Sequence, residues 1–142
     1  MTIKLSTTIS KIESLSNSVN SSLISELCDY MKKNGLSDSH INNTLKTSML
    51  FSEFLGADVS FYGVKTKEQI INFLDSKIKN PELDPDRKWI TTWNDYLGDI
   101  KYFFRWLHNY KLIEDNQIKA VSEWETPSFV NIKKPINQWL SR

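Results

Sequence analysis

RKWITTWNDYLGDIKYFFRWLHNY, residues 87–110, holds three of the five tryptophans and two of the three arginines in one helix-length run. Trp93, Leu97, Ile100, Phe104 and Leu107 recur at intervals of three and four, which sets them on one side of an α-helix facing a core. On the same helical wheel Thr91, Asn94, Asp95, Gly98 and Arg105 fall on the far side, with Lys101 at its margin. The segment therefore reads as a core helix that carries hydrogen-bonding groups and cations outward.

Upstream, the same periodicity repeats. Leu23, Ile24, Leu27, Tyr30 and Met31 predict a helix over residues 22–33, ended by Asn34-Gly35. Ser37 is placed to cap the next helix, whose inner side is Ile41, Thr44, Ser48, Phe51 and Leu55, with Gly56 as its stop. Leu50 is an outlier on its polar outer side. Thr66 with Gln69 three residues later makes a capping-box pattern, followed by Ile70, Phe73, Leu74 and Ile78 on one side. Asn80-Pro81 ends that helix, and two prolines with three acidic residues deliver the chain to the aromatic segment. Residues 113–121 could add a short fifth helix, and residues 124–135 read as an extended linker with a proline near each end. Residues 1–21, rich in Ser and Thr with sparse apolar positions, read as a loose arm or one short helix.

One domain with tails is the size expected of 142 residues: an arm at 1–21, a helical domain at 22–121 and a linker at 122–142. With 39% hydrophobic residues, 25% charged and only four Gly and four Pro, the expectation is a soluble, mostly helical domain. The net charge of +1 gives no general attraction to nucleic acid, so any DNA site has to be a local patch. Cys28 stands alone, in an apolar helical run, as a buried thiol. With two histidines and one cysteine no metal site is expected, and no cofactor motif occurs. No apolar run approaches the roughly 20 residues of a membrane span, and no signal peptide is legible; a cytoplasmic location is expected.

The order of elements resembles the SAM-like N-terminal core-binding domain of tyrosine recombinases, the phage-integrase type, and especially its archaeal members. The resemblance covers residues 22–110. It is carried by Lys33-Asn34-Gly35-Leu36-Ser37, by Phe51-x-x-Phe54-Leu55, and by Ile100-Lys101-Tyr102-Phe103-Phe104-Arg105-Trp106-Leu107. Trp124-Glu125-Thr126-Pro127 followed by Ile132-Lys133-Lys134 is similar to the connector that leads archaeal integrases into their catalytic domain. The implied fold is an all-α, four-to-five-helix SAM-like core-binding bundle.

In that family a tyrosine attacks the DNA phosphodiester, with arginines, a lysine and histidines around the phosphate, and all of these sit in the C-terminal domain. Residues 108–111, His-Asn-Tyr-Lys, depart from the family's His-x-x-Arg element by the lysine. No catalytic residue is therefore expected here, and the chain is read as a non-enzymatic domain. What the resemblance implies is grip on double-stranded DNA, together with the catalytic domain of the same recombinase and other protomers on the DNA. The matching positions are Ser39, His40, Asn43, Lys46 and Thr47 on the helix after Gly35, then Lys88, Thr91, Thr92, Asn94, Lys101 and Arg105 around the aromatic helix, with Lys65 and Lys67 as backbone contacts.

Many relatives carry a pair of basic residues near the positions of Gly98 and Asp99, whereas this helix presents Asp95 and Asp99. These are a solvated helix face or an intramolecular partner for Lys101, or else acceptors for a cytosine amine. Tyr102 and Trp106 point off the main apolar side, to pack on the fifth helix or tail or to stack on a base. A rival reading is a helical protein-interaction module in which Leu50, Tyr102 and Trp106 dock a partner, since SAM-like folds serve both uses.

Overall fold

The computed structural model describes residues 5–78, 88–111 and 124–132. It is all-α: among the described residues there are five α-helices with short 3-10 and π turns, and no strand. They are α1 (Leu5–Lys11), α2 (Ser18–Lys33), α3 (Asp38–Leu55), α4 (Lys67–Ser76) and α5 (Lys88–Trp106). The chain divides into two compact units, Met1–Val64 and Lys65–Arg142.

In the first unit each helix boundary has a local chemical cause. Asn17 accepts a hydrogen bond from the Asn20 amide at 3.0 Å, so α2 starts four residues earlier than its apolar periodicity suggests. Its end is a Schellman turn, in which Leu36 N–H reaches Met31 O at 3.2 Å, Gly35 N–H reaches Lys32 O at 3.1 Å, and Gly35 sits at φ 72°. Ser37 caps α3 by accepting from His40 N–H at 3.2 Å, and Gly56, at φ 90°, closes it. The apolar side of α2 that the spacing picks out, Leu23, Ile24, Leu27, Tyr30 and Met31, is buried throughout.

α3 presents a different inner side. Ile41, Leu45 and Phe51 are buried, and so are the small polar Thr44, Thr47, Ser48 and Ser52. Thr44 and Ser48 satisfy their hydroxyls one turn back, on His40 O at 2.9 Å and Thr44 O at 2.8 Å. Their small size suits α3 to lie against both α1 and α2, as it does. Residues 5–14, read from sequence as a loose arm or one short helix, form α1 and a 3-10 turn on α3, with Thr8 and Ile12 buried. The Thr8 hydroxyl donates to Asn42 Oδ1.

The second unit starts from the capping box. Gln69 Oε1 accepts from Thr66 N–H at 3.1 Å and the Thr66 hydroxyl accepts from Gln69 N–H at 3.4 Å, so α4 opens as its sequence signature requires. Ile70, Phe73 and Leu74 are buried beside α5, where the Phe73 and Tyr96 rings lie 6.2 Å apart and Trp93 Nε1–H donates to Asp75 at 3.1 Å. α5 runs on into a π turn, Leu107–Lys111.

Residues 124–132, expected as an extended linker, are extended apart from a short 3-10 turn, and they are packed rather than solvated. Trp124, Val130 and Ile132 are buried, and Phe129 meets Phe104 edge-on at 5.2 Å. The fifth helix expected at 113–121, and the remainder of the 122–142 linker beyond Ile132, lie outside the described residues.

Candidate nucleic-acid interface

Ser39, Asn43, Lys46, Leu50 and Glu53 recur at alternating intervals of four and three, which makes them one row along the outside of α3. Its first half is polar: Ser39, His40 and Asn43 are exposed and Lys46 is half-buried. Ser39 and His40 lie in the first turn, where the positive end of the helix dipole favours an anion, although Asp38 stands there too and the His40 N–H is held by Ser37. Thr47 does not belong to this surface. It is 2% exposed, because the side of α3 one position round from Lys46 is turned into the core. The second half of the row pairs exposed Leu50 with the Glu53 carboxylate, and exposed Phe54 lies one position beyond.

In the second unit Lys65 and Lys67 are exposed at the start of α4, and Lys65 N–H is held by Gln69 Oε1 at 3.0 Å. Lys88 opens α5, and its side chain lies outside the described residues. Along the outer side of α5, Thr91 and Asp95 are exposed while Thr92 and Asn94 are half-buried. The Asn94 Oδ1 atom is buried without a hydrogen-bond partner. Lys101 points back into the protein, donating to Ile132 O at 2.9 Å, so it fastens residues 124–132 to α5 instead of reaching outward. Arg105 is half-buried one turn on. Burial raises the Tyr102 phenol above its ordinary pKa, and the neighbouring Arg105 guanidinium pulls against that rise.

Trp106 is 1% exposed and therefore docks nothing from outside; its ring stacks with Tyr110 at 6.4 Å. Tyr110 in turn meets Trp124 at 6.4 Å. The cause is the π turn, which widens the helix just past Trp106 and turns Asn109 inward, where its amide pairs with the Glu125 backbone. Burial lowers the pKa of His108, whose ring packs between Phe104 at 6.2 Å and Phe129 at 5.5 Å.

No cluster of three or more potential metal ligands occurs among the described residues, and none of the described helices is long and apolar enough to cross a membrane. Sequence reasoning missed a groove beside α3, to which Lys11, Leu15 and Met49 contribute with Lys46 and Leu50; the one signal was Leu50 on a polar side. No protein-family model matches the chain, and neither a curated protein nor a solved structure does.

Proposed function

We infer that this chain is a DNA-gripping, non-catalytic helical domain of the kind that precedes the catalytic domain of tyrosine recombinases. The observation that carries the reading is the outward polar row of exposed Ser39, His40 and Asn43 with half-buried Lys46 in the first half of α3, joined to the ordered motifs that resemble the family's core-binding domain. A helix presenting short hydroxyl and amide side chains with one cation suits a major groove, where phosphate contacts position it and amides or hydroxyls meet base edges. Lys65, Lys67, Lys88, Thr91 and Arg105 are the further contacts of the second unit. Lys101 is reassigned to a structural role by its bond to Ile132 O. The implied partners are duplex DNA, the recombinase's catalytic domain and neighbouring protomers, in the cytoplasm. The rival protein-interaction reading keeps Leu50 and loses Trp106, which is buried.

The test is a mobility shift of a short duplex by the full chain at low salt. A retarded complex is expected, weakened about tenfold by the combined change Ser39→Ala, Asn43→Ala and Lys46→Ala, and left in place by Lys32→Ala with Lys33→Ala, a pair of exposed cations at the end of α2. No retarded complex at low salt, or one indifferent to the α3 changes, would overturn the reading.

A further inference from the structure

Within the first unit, an open groove of about 380 Å³ lies between α1 with its following turn and the outer row of α3. Three hydrogen bonds, at two places, set its polarity. Thr8 is tied to Asn42 at one end, and Glu53 accepts from Ser16 N–H at 3.0 Å and from the Ser16 hydroxyl at 3.1 Å at the other. α1 and α3 therefore run in the same direction, and the groove follows α3 from Lys46 to Glu53, about 10 Å or two helical turns. Lys11 and Lys46 stand toward the Thr8 end, Leu15, Met49 and Leu50 supply the apolar middle, and Glu53 closes the far end.

Three facts select the occupant. Neither lysine makes an ion pair with any described residue, whereas the one carboxylate lining the groove is already hydrogen-bonded by Ser16. Leu50 stays 38% exposed, so the groove has no roof and suits a rod laid along it more than a small molecule enclosed within it. An apolar middle with a carboxylate at its end repels a phosphate backbone, so this half of the α3 row is unsuited to the DNA that its first half would meet.

We propose that the groove docks an acidic amphipathic helix of a protein partner. That helix sets an apolar side chain on Leu15, Met49 and Leu50, and carboxylates one turn away on Lys11 and Lys46. The site goes beyond the DNA-gripping reading and does not depend on it. α3 would then serve two partners from one row, DNA at its start and protein at its end, with Lys46 within reach of both.

The experiment uses the isotope-labelled full chain and two synthetic amphipathic peptides, one pairing leucines with glutamates one turn away and its twin with lysines in place of the glutamates. The glutamate peptide is expected to shift the amide signals of Leu15, Met49 and Leu50. Leu50→Asp weakens it about tenfold or more, the loss expected when a contact of one leucine is removed. The double change Lys11→Glu with Lys46→Glu is expected to lose the glutamate peptide and gain the lysine one, a swap that misfolding cannot produce. Equal binding of both peptides by the unmodified chain, shifts confined to other surfaces, or saturation of the groove by dodecanoate without a peptide response would each overturn the proposal. Retention of the duplex by Leu50→Asp in the mobility shift separates failure here from failure of the DNA reading.

Discussion

Asn20 holds more of the first unit together than any apolar residue of its size could. It is fully buried, and its side-chain amide donates to the Ser52 hydroxyl at 3.0 Å and to Val59 O at 3.2 Å while its oxygen accepts from Phe61 N–H at 2.7 Å. One side chain on the first turns of α2 thereby fixes the end of α3 and the whole loop that follows, helped by Asn17 Nδ2, which donates to Ala57 O at 2.9 Å. Truncation leaves three polar groups in the interior without partners, each costing on the order of 1–3 kcal/mol when stranded, with partial relief from relaxation. Asn20→Ala is expected to lower unfolding free energy by about 2–4 kcal/mol, read as a shift in the urea midpoint at unchanged m-value. A loss below about 1 kcal/mol would mean that water replaces the amide and the loop is held by Phe61 and its stacking on Phe51 instead.

At the scale of elements, the two glycines of opposite backbone hand give a paired test. Gly35 sits at φ 72° in the Schellman turn of α2, whereas Gly98 lies inside α5, and a Cβ would meet open space at both. Space is equal, so backbone preference alone decides the sign. Gly35→Ala is expected to cost about 1 kcal/mol, and Gly98→Ala to add about 0.5–1 kcal/mol, both measured by thermal unfolding. Signals of this kind made the end of α2, both ends of α3 and the start of α4 legible in the sequence: Asn34-Gly35, Ser37, Gly56 and the Thr66–Gln69 box each act within a few residues of themselves. What was not legible depends on distant partners. α1 is short and buries only Thr8, so nothing in its own pattern says that α3 will hold it. Trp106 lies off the apolar stripe on a regular wheel yet is buried, its ring stacked on Tyr110 of the π turn, a change of helical pitch no periodicity announces. The candidate site divides the same way. The exposed polar row of α3 was readable from spacing, while the inward turn of Thr47 and the capture of Lys101 by Ile132 O needed the packed chain.

Over the whole molecule, charge is distributed more tellingly than its total of +1 suggests. Residues 65–142 contain 13 of the 18 basic residues and 11 of the 17 acidic ones, which leaves residues 1–64 slightly acidic despite bearing α3. A domain built so cannot hold DNA by a broad basic surface, and any grip has to come from a few placed cations. Counting Lys46 on α3 with Lys65, Lys67, Lys88 and Arg105, and setting aside Lys101, gives five phosphate contacts at most. Each releases about 0.9 counterion from duplex DNA, so log K against log salt is expected to fall with a slope of roughly −3 to −4.5, and Lys46→Ala flattens it by about 0.9. Fluorescence anisotropy on a labelled duplex across a salt series measures both. A slope steeper than about −6 requires more phosphate contacts than this set can make, and would move the grip to basic residues elsewhere in 65–142, such as Lys133 and Lys134. A slope near −1 is the opposite case, in which α3 contributes Lys46 alone and the second unit takes no part. The intermediate slope is therefore the quantity that ties both units to one nucleic acid, and it does so without any assumption about how they are arranged.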